Sequence, residues 1–387
     1  MDRRAFLGAL AGAGCAAGSG LAGALWLGAA PRAWAGSGLG QVGPARDPDK
    51  PAGDAEAAVG EVVLYTSIDS DIVRGLIEPF EWAQRAKVLV VGDTEATKTT
   101  GLVQRVISER ARPRADVFWS SEVLGMLRLG REGLLEPGVF VGPRRGSVGS
   151  WPWSPVRGAQ GQWAGMALRP RVIGYALGRV PAPAGAFAGG LGALPGAAPR
   201  GRVGLADPRF GTTRGHLAWL LAAWGDERFG AWLDELKANG ARVYPGNAAA
   251  LRAVHHGQVD AVLTDADDVY AGLREGWAVG WHGGTAALSA AGVVATPSTV
   301  GAIRGGPNAR GAAWLAAYLG SAGVERLMAR THWRTIPTRR EVHQEEERAA
   351  AQRGADLPAV EIEAVRWEDA FEAQGRMLAM WAERFGG

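Results

Sequence analysis

Short apolar runs alternate with segments of helical periodicity along most of the chain. In the first half, the runs typical of buried strands cover residues 62–65, 88–91 and 116–119. The first helical stretch extends from Ile72 to Phe80, and its Pro79 is expected to kink that helix or end it early. A second helix is predicted around residues 102–107.

The second half repeats this alternation after a stretch rich in Trp, Pro and Gly at residues 138–165. Residues 181–201 are predicted to form a surface loop. Strands are predicted at residues 202–206, from Val243 and at 261–263, helices near Leu217 and from Asn247, strand-like segments at 292–295 and 300–303, and an amphipathic helix at the C-terminus. Strands that alternate with helices predict an α/β fold with a mostly parallel sheet. A length of 387 residues favours two domains or lobes.

The first 35 residues have the pattern of an export signal. Arg3 and Arg4 precede an apolar run, which ends in a small-x-small site at residues 33–35. Adjacent arginines followed by Phe-Leu are typical of a twin-arginine signal, with a Sec signal or an uncleaved anchor helix as alternatives. Cys15, the single cysteine, lies inside this segment, where lipid attachment is an alternative. Residues 36–59 are predicted to form a flexible spacer.

Composition and charge narrow the class of protein. The chain is 47% hydrophobic and 21% charged, as expected of a folded globular protein. Removal of residues 1–35 takes away three arginines and one aspartate, which lowers the formal net charge from +3 to +1. Such a chain lacks the basic footprint of a nucleic-acid-binding protein. Without Cys15 it also has no thiol for disulfides or thiolate chemistry.

Polar loops follow the predicted strands at residues 67–69, 93–97, 120–122, 210–213 and 265–268. In an open parallel sheet, ligands gather at the carboxyl ends of the strands, so these loops are the predicted binding site. Gly211, Thr212 and Thr213 precede a helix, where free N–H groups and hydroxyls favour an anion, with a simple helix N-cap as the alternative. For the pair Gly246-Asn247, which opens the next predicted helix, the N-cap interpretation is favoured over a position near the anion.

An acidic cluster, defined here as Asp265, Asp267 and Asp268, follows a predicted strand. Carboxylate oxygens suit a hard metal cation. Carboxylates that converge without a partner repel one another and raise their own pKa values, so a metal ion or an organic ammonium would relieve the cluster. A solvated acidic loop that also caps a helix is the alternative.

The ordered motifs of the chain resemble the periplasmic iron(III)-type solute-binding proteins of ABC importers. The resemblance runs from about Glu61 to about Pro337 and is carried by LYTS (64–67), DTEATKT (93–99), ERARPRADVFW (109–119), EGLLEP (132–137), FGTT (210–213) and LTDADD (263–268). It implies a two-lobed, type II-like periplasmic binding protein fold. Lobe 1 would comprise residues 60–165 and 292–387 and lobe 2 residues 166–291, with crossing strands at 163–175 and 292–303.

The resemblance also implies site residues. Where the iron(III) proteins carry adjacent tyrosines, this chain has Asp267 and Asp268. The implied metal ligands are Asp69, Glu122, Asp267 and Asp268, and phosphate or carbonate would complete the coordination of Fe³⁺. The predicted ligand contacts are Ser67, Asp69, Thr94, Ser121, Glu122, Gly211, Thr212, Thr213, Asn247, Asp265 and Asp267. Because the tyrosines are replaced, an organic anion (a phosphonate or phosphate ester) and a polyamine remain alternative ligands.

The chain contains no glycine-rich phosphate loop, no Gly-x-Ser-x-Gly elbow and no His-Glu-x-x-His motif, which favours a binding role over catalysis. An exported enzyme that acts through the acidic cluster is the alternative. His216, His255 and His256 are expected in structural positions, whereas Trp119 and Trp151 are tryptophans that could line a cleft. The implied protein is a periplasmic or cell-surface monomer that binds no nucleic acid, and its partner is the membrane permease of an ABC importer.

Overall fold

A computed structural model of the protein describes residues 58–93, 99–140, 157–180, 183–289, 292–352 and 361–386. The predicted export signal with Cys15, nearly all of the spacer, Thr94 and Trp151 lie outside these ranges.

The first part of the chain alternates strands and helices as predicted. Its elements are β1 (Gly60–Thr66), α1 (Ser70–Gln84), β2 (Ala86–Gly92), α2 (Thr100–Ser108), β3 (Val117–Ser120) and α3 (Leu124–Arg131). The expectation that Pro79 ends α1 early is wrong, because the helix continues to Gln84 and stops where Arg85 turns left-handed at φ 47°. Phe80 and Ala83, which follow the proline, are buried, and this packing offsets the backbone hydrogen bond that proline cannot make.

The middle part begins with a long strand and continues the alternation. Its elements are β4 (Trp163–Ala176), α4 (Pro183–Ala186), a 3₁₀ helix (Gly190–Gly196), β5 (Val203–Ala206), α5 (Gly211–Asn239), β6 (Arg242–Tyr244), α6 (Asn247–His255), β7 (Ala261–Asp265), α7 (Ala266–Arg274) and β8 (Val279–His282). The surface loop predicted at residues 181–201 instead contains helical turns, and Phe187, Leu191 and Leu194 are buried there. These side chains join the core beside α5.

The last part returns to the sheet and then becomes helical. Its elements are β9 (Ala295–Ala302), α8 (Ala309–Leu319), α9 (Ala322–Arg330), α10 (Arg340–Gln352) and α11 (Trp367–Phe385). The strand-like segments predicted at residues 292–295 and 300–303 contribute to one strand, β9, while Val293 forms a separate bridge with Ile362.

The strands form one sheet in the order β2-β1-β3-β9-β4-β7-β5-β6, and β8 pairs with β4. Pairing within each outer group is parallel, as predicted, whereas β4 and β9 at the centre run antiparallel to their neighbours. The first half of β4 pairs with β9 and its second half pairs with β7 and β8. Strand β4 therefore belongs to both groups, and β9 and β4 occupy the positions expected of crossing strands.

Separate clusters of buried apolar side chains lie on the faces of the sheet. One surrounds Leu64 and Trp119, and another surrounds Leu205 and Leu220. Helix α11 packs against α5 and also contacts α3, so it touches both groups of elements. The lobe boundaries stay a prediction. They place α11 in lobe 1, although this helix contacts elements of both groups. Within the described residues, no helix combines the length and the hydropathy needed to cross a membrane.

Candidate functional site

The acidic cluster lies where β7 ends and α7 begins. Asp265 is the last residue of β7, and Asp267 and Asp268 occupy the first turn of α7. One carboxylate oxygen from each of the three side chains lies within 4.8 Å of the others. Asp265 is buried, Asp267 is 9% exposed, and Asp268 accepts a hydrogen bond from the Thr264 hydroxyl at 2.9 Å. Adjacent acidic positions in the sequence thus converge at one point, as predicted.

Arg171 on β4 is the first of two buried cationic partners of this cluster. Its side chain is fully buried, and its Nη1 donates to the Asp265 carboxylate at 2.7 Å. The same guanidinium donates to Thr212 Oγ1 at 3.0 Å and to Thr213 Oγ1 at 3.2 Å. Register explains the pairing, since Arg171 lies directly opposite Asp265 in the antiparallel β4–β7 ladder.

Arg169, two residues earlier on β4, is the second buried cationic partner of the acidic cluster. Its Nη1 lies 3.6 Å from Asp265 and 3.5 Å from Asp267, longer than in a tight ion pair, and its Nη2 donates to the Ser121 carbonyl. The guanidinium stands 5.0 Å from the Trp333 ring centroid. Arg169 Nε and Asp267 Oδ1 are both buried and lack a hydrogen-bond partner among the described residues.

The pKa values of the two central carboxyls move in opposite directions. Burial alone would raise the pKa of Asp265, but Arg171 and Arg169 hold it below its usual value. Burial raises the pKa of Asp267 to about 6, helped by Asp265 and Asp69 and opposed by Arg169. Burial would also lower the pKa of Arg169, yet the surrounding aspartates, including Asp69, keep it above its usual value. The cluster is therefore not the unpartnered set of acids that the sequence suggested.

The turn at the start of α5 joins this network through its side chains. The Thr212 hydroxyl donates to Asp265 Oδ2 at 2.8 Å, and Asn247 Nδ2 donates to the same oxygen at 2.9 Å. In the pair Gly246-Asn247, Gly246 is the N-cap of α6, in agreement with the favoured interpretation, and the Asn247 amide bridges Asp265 and Thr212. Gly211, with φ 58°, begins α5 without a side-chain cap on the helix.

The loops after β1 and β3 meet through hydroxyl groups. Ser67 Oγ lies 3.1 Å from Ser121 Oγ, accepts from the Ser121 backbone N–H at 2.9 Å and receives the Thr99 hydroxyl at 2.9 Å. Ser67, Thr99 and Ser121 are all buried, so these groups satisfy one another. Asp69, which caps α1, is half-buried and close enough to influence the pKa of Asp267.

Glu122 lies apart from the acidic cluster. Its two carboxylate oxygens accept backbone N–H groups of Leu124 at 2.6 Å and of Gly125 at 2.9 Å, which caps the start of α3. Burial raises the pKa of Glu122 despite these donors and Arg214. Both Glu122 oxygens accept N–H groups of the helix, and Glu122 is not among the three carboxylates that converge, so its role as a metal ligand together with Asp267 stays a prediction.

Glu122 instead lines a pocket of about 560 Å³ between α2, α3, α5 and α11. The pocket wall includes Arg128, Arg131 and Arg214. Gly211 contributes to the same wall, so the start of α5 faces the acidic network through its threonines and this pocket through Gly211 and Arg214.

The other residues singled out in the sequence have structural positions. His216 is buried between Arg171 and the Thr285 carbonyl, and burial lowers its pKa to about 3. His255 and His256 end α6 as predicted. Trp119 is fully buried in β3 and lines no cleft. Tyr270 lies beyond the acidic cluster on α7, where burial raises its pKa to about 12.

Sequence reasoning missed Arg169 and Arg171, although the signal was present. Both stand in a 14-residue strand whose burial is almost complete. Two arginines in an otherwise apolar, buried strand require acidic partners. The acidic cluster was the group of aspartates that could have been assigned to them.

Comparisons with known proteins support the fold. No protein-family model matches the chain. Iron uptake protein A1 of Synechocystis sp. is 28% identical over 222 residues, which cover 57% of this chain and 58% of that protein. The matched region is thus less than two thirds of that relative.

Two solved structures cover most of the chain. Iron-bound HitA from Pseudomonas aeruginosa has a TM-score of 0.66 at 20% identity, with 84% of this chain and 99% of that chain covered. The periplasmic binding protein AfuA from Actinobacillus pleuropneumoniae, with fructose-6-phosphate bound, has a TM-score of 0.64 at 14% identity, with 84% and 98% covered. The chain therefore has the periplasmic binding protein fold, and the predicted fold class is confirmed.

Proposed function

We propose that this protein is an exported solute-binding receptor of an ABC importer that captures a metal ion such as iron(III) together with a small anion. The name of the Synechocystis relative and the iron-bound state of HitA support this assignment. The proposed role is binding without catalysis, and the proposed partner is the membrane permease of the importer. Export would depend on residues 1–35.

The observation that carries the proposal is a buried carboxylate oxygen without a hydrogen-bond donor, at a point where acidic groups converge. Asp265 and Asp267 are buried, Asp69 and Asp268 are half-buried, and all four raise the pKa of Arg169. The Asp267 Oδ1 atom is buried and makes no hydrogen bond within the described residues. A carboxylate left in this state is costly, and a bound cation would stabilise it.

The ligand set follows from these contacts. Asp267 and Asp268 are the proposed metal ligands from α7, and Asp69 is the proposed ligand from the loop after β1. The Asp265 carboxylate already accepts hydrogen bonds from Arg171, Thr212 and Asn247. We therefore propose that Asp265 holds these side chains in place and does not bind the metal. Hard oxygen ligands of this kind suit a highly charged cation. The anion would bind at the threonine side of the start of α5, which faces the acidic network and has no side-chain cap on the helix.

The Arg169 guanidinium would compete with a bound metal ion for the carboxylates of the acidic cluster. Its guanidinium lies about where a cation would meet Asp265 and Asp267, so metal capture requires this side chain to move. The long contacts to the aspartates and the unpartnered Nε favour such a movement, whereas the bond to the Ser121 carbonyl and the contact with the Trp333 ring hold the side chain in its present position. Because Arg169 lies on β4, its movement would connect ligand binding to a proposed crossing strand between the lobes.

The first experiment is calorimetry of the purified protein with ferric nitrilotriacetate in the presence of phosphate or carbonate. Binding is expected in the wild-type protein and about tenfold or more weaker in Asp267→Asn, because a charged ligand is lost. Asp226→Asn, an exposed change on α5 that faces Arg376, is the control. No binding to the wild-type protein, or equal affinities in the two variants, would contradict metal capture at this cluster.

A second candidate, a receptor for a phosphorylated organic anion, is favoured by the two buried arginines and by the sugar phosphate bound to AfuA. Arg169→Gln separates the two functions. In the metal receptor, this change removes the competing cation and should strengthen ferric binding. In the anion receptor, it should abolish binding of fructose 6-phosphate, and a chelator should leave wild-type affinity for that ester unchanged.

A further inference from the structure

The pocket between α2, α3, α5 and α11 has its own charge, separate from the acidic cluster. Arg128, Arg131 and Arg214 line it together with Glu122 and Glu132. Arg128 pairs with Glu132 at 3.0 Å and Arg131 pairs with Glu372, so Arg214 is the wall arginine without a paired carboxylate among the described residues. None of the three aspartates of the acidic cluster contributes to the wall.

Arg214 is a wall residue whose Nε is buried and lacks a hydrogen-bond acceptor in the part of the chain that the structure describes. Burial lowers the pKa of Arg214, and Glu122 is the acidic group that opposes this effect. Both Glu122 oxygens accept N–H groups of α3, so Glu122 gives Arg214 no tight ion pair. An anion in the pocket would supply the missing acceptor.

The backbone adds to the positive potential of the pocket. Thr100 starts α2, Leu124 starts α3 and Gly211 starts α5, and all three residues line the wall. Helix N-termini direct free N–H groups and the positive end of the helix dipole outwards. At α3 that position is already taken by the Glu122 carboxylate, which shows that the geometry there accepts an oxyanion.

The pocket wall is also partly apolar. Phe371 of α11 lines the pocket, and the Arg131 guanidinium stacks over its ring at 4.2 Å. Val103 and Leu124 add apolar surface. A volume of about 560 Å³ lies within the range for small-molecule sites, so the pocket is large enough for a carbon skeleton as well as its charged groups.

We infer that this pocket is a second binding site, which takes a small organic polyanion such as a polycarboxylate or a phosphate ester. The cavity, its three arginines and the buried Arg214 Nε carry the inference, and the helix N-termini add to it. It goes beyond the proposed metal capture and requires no metal, because the acidic cluster lies outside the wall. Arg214 holds one charged group, Arg131 holds another in exchange for its exposed ion pair with Glu372, and Phe371 contacts the carbon skeleton.

The test is calorimetry of purified, chelator-treated, metal-free protein with citrate, fructose 6-phosphate and inorganic phosphate. At least one organic anion is expected to bind, and inorganic phosphate should bind more weakly because it makes no contact with Phe371. Arg214→Gln should weaken the organic anion about tenfold or more. Arg228→Gln is the matched control, since Arg228 lies on the same helix but stacks on Trp224 and does not line the pocket.

Two further variants make the result decisive. Asp267→Asn should leave anion binding unchanged, which separates this site from the proposed metal site. If thermal melting shows that Arg214→Gln is unfolded, Arg131→Gln decides, and several-fold weaker binding is expected. The inference is overturned if neither citrate nor fructose 6-phosphate binds, if the Arg variants bind as the wild-type protein does, or if Asp267→Asn removes the anion. Anion binding can succeed where ferric binding fails, so the two proposals are judged separately.

Discussion

Replacement of Arg171 by Met should be among the most destabilising single changes in this protein. The side chain is fully buried and provides the closest ion pair of Asp265, at 2.7 Å, and also donates to Thr212 and Thr213. Removal of one partner of a buried pair leaves an uncompensated charge, which costs about 3–5 kcal/mol. Asp265 retains Arg169 at 3.6 Å and hydrogen bonds from Thr212 and Asn247, so we expect a value near 3 kcal/mol.

Urea unfolding measures this loss as the shift in midpoint multiplied by the slope m, and coincident transitions by tryptophan fluorescence and circular dichroism establish that the unfolding is two-state. Arg228→Met, on the exposed side of α5, is the control and should change stability by less than about 0.5 kcal/mol. The double variant Arg171→Met, Asp265→Leu should lose less than the sum of its single changes by about 1 kcal/mol or more, because it removes both charges.

The pH dependence supplies an independent check on the cause. In the wild-type protein, the pKa of Asp265 lies below its usual 3.8, so its ion pairs contribute stability above that pH and lose it as the pH falls through the native value. Without Arg171 the native pKa should rise, so the deficit of the variant should shrink as the pH falls towards 4. A loss below about 1 kcal/mol at pH 7, or additive single changes, would refute the reasoning.

Four other outcomes are expected. Because the pKa of Asp267 rises from its usual 3.8 to about 6, its ionisation lowers stability as the pH rises from about 4 to 6, and Asp267→Asn should raise the free energy of unfolding of metal-free protein at pH 7.5 by up to about 3 kcal/mol, with no gain near pH 4, as measured by urea unfolding. His216, with a native pKa of about 3, should make stability fall as the pH drops from about 6.5 towards 3, and His216→Gln should show a shallower acid slope. Gly211→Ala should lower thermal stability by about 1 kcal/mol, since φ is 58° and no neighbouring atom blocks the new methyl group. Replacement of both Arg3 and Arg4 by Lys should retain the protein in the cytoplasm on cell fractionation if a twin-arginine signal directs its export.

The alternation of strands and helices was readable from the sequence because hydrophobic periodicity is a local property. The strand at residues 261–265 and the helix after it follow from adjacent apolar and acidic positions, so the acidic cluster was predictable as well. Local signals failed where packing overrides them. Pro79 does not end α1, because the residues after it are buried, and the contacts of the Asn247 amide with Thr212 and Asp265 could not be read from its position at the start of α6.

By itself, the sequence determined the fold class and the acidic end of β7. Only the tertiary structure decided what faces that end. Arg171 is 94 positions from Asp265, and the antiparallel register of β4 against β7 places them opposite each other. The same long-range packing separates Glu122 from the aspartates and turns it towards Arg214. Charge compensation and burial depend on contacts between distant segments, which periodicity along the chain does not encode.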